Sequence, residues 1–103
     1  MNHDAVKKLG IKRFDSAEYL HDETDIAAYF QACIDEAGND PAFIAKSLGV
    51  IARARGMTQL AKDTGLSREG LYKALSGEGN PEFSTIWKVI NALGLKLQSA
   101  TTL

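Results

Sequence analysis

Apolar residues recur along most of this chain at helical spacing, three or four positions apart, in segments separated by glycine or proline. The first segment opens with the acidic stretch 22–25, whose charge suits the positive end of a helix dipole. Gly38-Asn39 is a typical helix stop. The spacing therefore predicts a helix over 22–37, with an apolar stripe formed by Ile26, Phe30, Cys33, Ile34 and Ala37.

Three more helices are predicted in the middle of the chain. Asp40-Pro41 pairs a good N-cap with the one helical position that tolerates proline, so a helix is expected over 41–55. Short helices are expected over 58–64 and, capped by Ser67, over 67–76, each followed by a glycine. The long helix should bury Ile44, Leu48, Ile51 and Ala52.

A last helix is predicted from a cap at Ser84 to a left-handed stop at Gly94, with Trp87 as a core anchor. Its inward positions are expected to be Phe83, Ile86, Trp87, Ile90 and Leu93. Residues 95–98 then alternate apolar and polar, which predicts a short C-terminal β-strand. Such a strand needs a partner, and a second copy across a twofold axis would make Leu95 and Leu97 dimer residues. The alternative is a tail that packs these leucines on the body.

The ends of the chain are expected to lie outside the helical body. Residues 1–13 show no apolar period and are interpreted as a flexible basic arm. Asp15-Ser16-Ala17-Glu18 has capping-box spacing, which predicts a short helix through Leu20. At 103 residues the chain is long enough for one domain, predicted over 14–98, with a tail over 99–103.

Composition narrows the classes of function. Cys33 is the only cysteine and His3 and His21 the only histidines, so no internal disulfide, metal site or cofactor is expected. The lack of a signal-peptide pattern or membrane-length apolar run favours a cytoplasmic protein. Paired carboxylates beside a base and a phosphate-binding glycine loop are both missing, so an enzyme is not expected.

Charge is divided unevenly along the chain, although the formal net charge is only −1. Residues 14–40 hold eight acidic residues and no Lys or Arg, whereas residues 41–77 hold six basic and two acidic residues. This asymmetry indicates two surfaces with different partners, and two ordinary solvated helix faces are the alternative.

Gly65-Leu66-Ser67 joins the two short predicted helices by a turn so tight that they must cross steeply, as in a helix-turn-helix. Ala61 allows close approach, and Gly65 allows a left-handed backbone. The apolar contacts should come from Leu60, Leu66, Leu71 and Leu75. The prediction is an all-α, lambda-repressor-like fold of about five to six short helices, with the helix-turn-helix at 57–76. A hairpin used only for packing is the alternative.

In this geometry the second helix of the pair enters the major groove of double-stranded DNA. Arg68 is the best candidate for bidentate hydrogen bonds to guanine, and Ser67 and Lys73 can hold phosphates. The full predicted contact set, which includes the exposed start of the preceding helix, is Thr58, Gln59, Ser67, Arg68, Glu69, Tyr72 and Lys73.

Three segments carry a family resemblance: FDSAEYL at 14–20, IARARGMTQLAKDTGLSREGLYKALSGEGNP at 51–81 and WKVINALGLKL at 87–97. They resemble addiction-module antidote proteins, the HigA-like antitoxins of toxin-antitoxin pairs. The resemblance covers roughly residues 14–98, and GLSREGLYKALS followed by GNP is its most specific part. It implies an antitoxin that neutralises a small basic HigB-like toxin of the RelE superfamily, which cleaves mRNA, and that represses its own operon. DNA binding is expected from a homodimer.

A basic toxin would be attracted to an acidic surface, so the candidate toxin-facing residues are Asp22, Glu23, Asp25, Asp35 and Glu36. The chain departs from phage-repressor helix-turn-helix domains in one position, because Met57 stands where a phosphate-binding Gln is common. Gln59 is a candidate to replace it. The alternatives are a free-standing repressor without a toxin and an interaction module whose helix-turn-helix only packs.

Overall fold

The structure, a computed structural model, describes residues 19–101 and holds five helices and no strand within them. In chain order the helices are α1 (Glu23–Ala37), α2 (Pro41–Arg55), α3 (Met57–Thr64), α4 (Arg68–Ala74) and α5 (Phe83–Ala92). The predicted all-helical class is confirmed for this part of the chain. The predicted arm over 1–13 and the capping box at 15–18 lie outside the described residues. None of the five helices is both long and apolar enough to cross a membrane.

Hydrogen bonds between residues three positions apart cap the starts of α1 and α2, which explains why the sequence alone predicted where these helices begin. The side chain of Asp22 accepts from the backbone N–H of Asp25 at 2.8 Å. The side chain of Asp40 accepts from the N–H of Phe43 at 3.2 Å, and Pro41 takes the first helical position. Each cap satisfies an N–H that has no partner inside the helix. Both predicted helices are confirmed to within one residue.

The predicted fourth helix is too long at its end, because α4 stops at Ala74 and not at Ser76. The Ser76 hydroxyl donates to the carbonyl of Lys73 at 2.9 Å and accepts from the N–H of Glu78 at 3.1 Å. A serine side chain that bonds to nearby backbone in this way competes with continued helix. Gly77 follows in the left-handed region with φ 84° and turns the chain away.

The predicted cap of the last helix is wrong. α5 begins at Phe83, one residue before Ser84, and Glu82 is its N-cap without a side-chain hydrogen bond. The helix starts earlier because the Glu82 carbonyl accepts from the N–H groups of Thr85 at 3.0 Å and Ile86 at 3.2 Å. Ser84 therefore lies inside the first turn, where it does not cap the helix.

All five helices, or the residues that directly end them, contribute to one apolar core. α1 packs mainly on α2, and α5 packs on α3 and α2. Cys33 is completely buried, which confirms its predicted role as a small interior residue. The core cluster consists of Ile26, Phe30, Leu48, Ile51, Ala52, Met57, Leu60, Leu71, Leu75, Val89, Ile90 and Leu93.

The prediction that Phe83 and Trp87 face the core is wrong. Phe83 is 74% exposed and Trp87 is 41% exposed, and their rings stack on each other with centroids 5.7 Å apart. Val89 and Ile90 instead form the buried side of α5. At about 100° per residue, Trp87 lies roughly 60° around the helix from Ile90 and roughly 160° from Val89, at the edge of this buried side, whereas Phe83 shares the direction of Ile90 but is the first residue of the helix. Trp87 is not a core anchor.

The predicted β-strand over 95–98 is also wrong, since residues 95–101 have no regular secondary structure. Gly94 adopts the predicted left-handed conformation with φ 76°. The N–H of Leu95 then donates to the carbonyl of Ile90 at 3.1 Å, which folds the chain back so that Leu95 packs against the core. Leu97 is 44% exposed. The dimer role of the two leucines therefore loses the strand on which it rested and stays a prediction.

Candidate nucleic-acid interface

The connection between α3 and α4 is short and closed by its own hydrogen bonds. Gly65 has φ 77°, and its N–H donates to the carbonyl of Ala61 at 2.9 Å. The Thr64 hydroxyl donates to the carbonyl of Leu60 at 2.8 Å and accepts from the N–H of Leu66 at 3.3 Å. These bonds satisfy the groups at the end of α3, so the turn holds α4 at a defined angle. The predicted turn at Gly65 is confirmed.

An apolar underside fixes α4 on the rest of the fold. Leu71 is fully buried, Leu60 and Leu75 are nearly so, and Leu66 packs against the same core at partial exposure. The four leucines are the ones predicted to hold this helix pair together. Because α4 has only seven residues, its stability depends on this packing more than on helix propensity.

The opposite side of α4 carries polar side chains that point to solvent. Arg68, Glu69, Tyr72 and Lys73 are all exposed, and their spacing places them on one side of a helix of about two turns. Arg68 and Lys73 make no ion pair within residues 19–101. The structure therefore brings the main members of the predicted DNA contact set together on one face.

Ser67 stands at the start of this face, where its hydroxyl is used by the helix itself. Its Oγ accepts from the N–H of Gly70 at 2.9 Å, which confirms the predicted cap. As an acceptor in this bond the hydroxyl still keeps its own hydrogen for donation. Ser67 can therefore cap α4 and donate to an external oxygen at the same time.

The start of α3 differs from what the sequence indicated. Both Thr58 and Gln59 are exposed, but the Gln59 amide donates to the Asp63 carboxylate at 2.9 Å along its own helix. This hydrogen bond engages the amide donor that was expected to replace a phosphate-binding Gln at position 57. Met57 is 8% exposed and belongs to the core, which explains why this position is apolar here.

The five predicted toxin-facing acids do not form one cluster. Asp22 and Asp25 lie at the start of α1, where Asp25 accepts from the N–H of His21 at 3.0 Å and Asp22 caps the helix. Glu23 lies 3.8 Å from Arg55 of α2. At the far end of the helix are Asp35, which accepts from Gln31 at 2.9 Å, and Glu36. A rise of 1.5 Å per residue separates the two ends by about 18 Å.

A surface pocket beside the polar face of α4 is lined by two basic residues that are not in the predicted DNA contact set. Lys46 and Arg53 of α2 line it from one side, and Tyr72 and Ser76 line it from the other. No acidic residue is among the described residues that line it. Lys46 and Arg53 are seven residues apart, which places both on the same side of a helix. This spacing is the feature of the sequence from which a basic surface on α2 could have been predicted.

Comparison with known proteins bears on nearly the whole chain. A family model described as "probable addiction module antidote protein" matches residues 10–101. An uncharacterized protein of Haemophilus influenzae is 51% identical over 88 residues, which cover 85% of this chain and 89% of that relative. No solved structure matches the chain.

Proposed function

Because this chain belongs to the family of probable addiction module antidote proteins, we propose that it is the antitoxin of a toxin-antitoxin pair. The family match over 10–101 is the observation that carries this proposal. The antitoxin binds and neutralises a small basic HigB-like toxin of the RelE superfamily in the cytoplasm. It also represses its own operon. It works by binding and performs no catalysis.

The repressor half of the proposal treats α3 and α4 as a helix-turn-helix. A closed three-residue turn, a buried leucine underside and an outward polar face on the second helix support this assignment. α4 then enters the major groove, with Arg68 against a guanine edge and Lys73 on a phosphate. Repressors of this class bind two half-sites, so the proposal includes a homodimer on the operator.

In the antitoxin half of the proposal, the toxin binds at an acidic end of α1. At the start of the helix, Asp22 and Asp25 already accept backbone hydrogen bonds, and Glu23 lies near Arg55. At the other end, Asp35 and Glu36 extend an exposed acidic surface. Complementary charge raises the rate of encounter with a basic partner more than it raises final affinity. We assign the C-terminal end of α1 the larger part in toxin capture, because Asp35 and Glu36 are adjacent exposed acids and neither of them is the N-cap of the helix.

The DNA half is tested with DNA from upstream of the protein's own gene, titrated with salt. We expect Arg68→Ala to lose about 1–3 kcal/mol of discrimination at one base position. Lys73→Ala should weaken binding to all sequences alike and reduce the salt slope by about one. Lys88→Ala, an exposed lysine on α5, is the matched control and should change neither quantity. If the wild type does not bind this DNA, or binds it independently of salt, the DNA half of the proposal is wrong and the interaction-module hypothesis stands.

The antitoxin half is tested with the small basic protein encoded beside the gene. Co-expression of the wild type should restore the growth of cells that produce this protein. The double variant Asp35→Asn/Glu36→Gln should associate more slowly and with a weaker salt dependence, whereas Glu82→Gln, at the exposed N-cap position before α5, serves as the control. If the association rate and its salt dependence are unchanged in this variant, the C-terminal end of α1 is not the toxin-binding surface. Specific DNA binding with no rescue would identify a free-standing repressor.

A further inference from the structure

α2 comes close to the end of α4 at Gly49, a position that has no side chain. A β-carbon on Gly49 would lie 3.0 Å from the carbonyl oxygen of Leu75, so the two backbones are nearly in contact there. Lys46 precedes Gly49 by three residues and Arg53 follows it by four, and residues at these separations share one side of a helix. Both cations therefore flank the line along which α2 meets α4.

The Lys46 side chain is held in a defined place by the turn that follows α4. A β-carbon on Gly77 would lie 2.5 Å from Lys46 Cε and 2.8 Å from its Cγ, so the apolar stem crosses the bare glycine. Long cationic side chains commonly bury the stem on such a surface and leave the charge in water. The ammonium makes no ion pair or hydrogen bond within residues 19–101. The lysine thus presents an unneutralised charge at the rim of the pocket.

Tyr72 completes the polar lining of this pocket from the α4 side. It is 49% exposed, and its hydroxyl makes no hydrogen bond within residues 19–101. The Ser76 hydroxyl also lines the pocket, but its hydrogen is already donated to the carbonyl of Lys73. Two cations and one phenolic donor, with no acid among the lining residues, are donors suited to a phosphate group.

We propose that Lys46, Arg53 and Tyr72 form a pocket that binds a backbone phosphate of the operator. The inference rests on the proposed DNA-binding function and extends it, because Lys46 and Arg53 lie on α2 and outside the helix-turn-helix pair. The pocket adjoins the face of α4 that carries Lys73, so one duplex can contact both. A phosphate held there anchors the protein in register on the duplex and carries no base preference.

The test compares the double variant Lys46→Gln/Arg53→Gln with the wild type on operator DNA and on scrambled DNA. The matched control is Lys62→Gln/Lys88→Gln, which removes two exposed lysines that do not line the pocket. The pocket variant should weaken binding to both DNAs by the same factor, roughly tenfold, and lower the salt slope by about one or two. Tyr72→Phe should weaken binding less and in the same sequence-independent manner.

Replacing single operator phosphates with neutral methylphosphonates then identifies the occupant. At one position the replacement should weaken the wild type and leave the pocket variant unchanged, because the two changes remove the same interaction. All these residues are exposed at the surface, and equal thermal midpoints will show that every variant folds. Wild-type binding with no such position, or with unchanged affinity in the pocket variant, overturns the inference and leaves the proposed function standing. Absent wild-type binding overturns both the inference and the DNA-binding half of the proposed function.

Two other occupants give different results. If the pocket holds free phosphate and no part of the duplex, inorganic phosphate will raise the thermal midpoint of the wild type more than chloride does at equal ionic strength, and the pocket variant will keep the DNA affinity of the wild type. If the pocket is a toxin contact, the variant will keep its DNA affinity and lose the ability to restore growth. Either result overturns the backbone-phosphate assignment.

Discussion

Gly49 packs directly against Leu75, so closely that a β-carbon at position 49 would lie 3.0 Å from the Leu75 carbonyl oxygen. The contact joins the middle of α2 to the end of α4, so the position of the proposed recognition helix depends on a residue outside the helix pair. Leu75 also contributes its side chain to the core. A change at position 49 should therefore affect both folding and the placement of the outward face of α4.

We expect Gly49→Val to destabilise the fold by roughly 1–3 kcal/mol, the usual cost of overpacking an interior site. Gly49→Ala should change stability less, because the better helix propensity of alanine, about 1 kcal/mol, offsets part of the close contact. The valine variant should also lose DNA affinity at temperatures where it remains folded. Chemical denaturation and DNA titration measure the two effects. Ala42→Val, at an exposed position of the same helix, is the control.

Ser67 allows capping and DNA contact to be separated by choice of substitution. Ser67→Ala should cost about 1 kcal/mol of stability, because the N–H of Gly70 loses its acceptor. Ser67→Asn and Ser67→Asp both keep a capping oxygen and should retain stability. The aspartate should nevertheless weaken DNA binding, since it brings a negative charge to the proposed phosphate contact. Equal DNA affinity for the Ser67→Asn and Ser67→Asp variants would contradict a phosphate near this position.

The stacked aromatic pair on α5 should contribute little to folding for its size. Trp87→Ala is expected to cost well below the about 3–5 kcal/mol that a buried aromatic residue provides, because 41% of the side chain is exposed. Ile90→Ala on the buried side of the same helix should cost about 2–5 kcal/mol. Denaturation of the two variants gives the comparison. Tryptophan emission typical of a dry interior would contradict the exposed position.

The buried thiol of Cys33 should make stability fall at alkaline pH. Burial raises the pKa of Cys33, and hydrogen bonds with Tyr29 and Ser47 offset part of that rise. In the unfolded chain the thiol ionises near its ordinary pKa of about 8.5, whereas the folded thiol stays protonated to higher pH. Stability is therefore unaffected below the unfolded pKa and decreases as pH rises through the interval between the two values.

The matched comparison for this effect is Cys33→Ala, which lacks the ionisable group. We expect the wild type to exceed it in unfolding free energy at about pH 7.5, because the substitution leaves a small cavity. That difference should shrink by about pH 9.5, by at most about 1.4 kcal/mol per pH unit. Other titrating groups cancel in the difference between the two proteins. A constant difference across this range would show that the folded thiol ionises normally.

Features that depend on neighbours along the chain could be predicted from sequence alone. The caps at Asp22, Asp40 and Ser67 each reach an N–H three residues ahead, so the residues that make the bond are all in one short segment. The left-handed turn at Gly65 and the apolar stripe of α1 are local in the same sense. These features determine where α1, α2 and α4 begin and where the turn that joins α3 to α4 lies.

Features that depend on contacts between distant segments were decided only by the tertiary structure. Period-two alternation over 95–98 permits a strand, but the Leu95 N–H donates to the carbonyl of Ile90 and the Leu95 side chain packs on the core. Trp87 has helical spacing with the core residues, yet the packing of α5 on α3 and α2 leaves it at the edge. Lys46 and Tyr72 are 26 residues apart in sequence and share a pocket because Gly49 lets α2 approach α4.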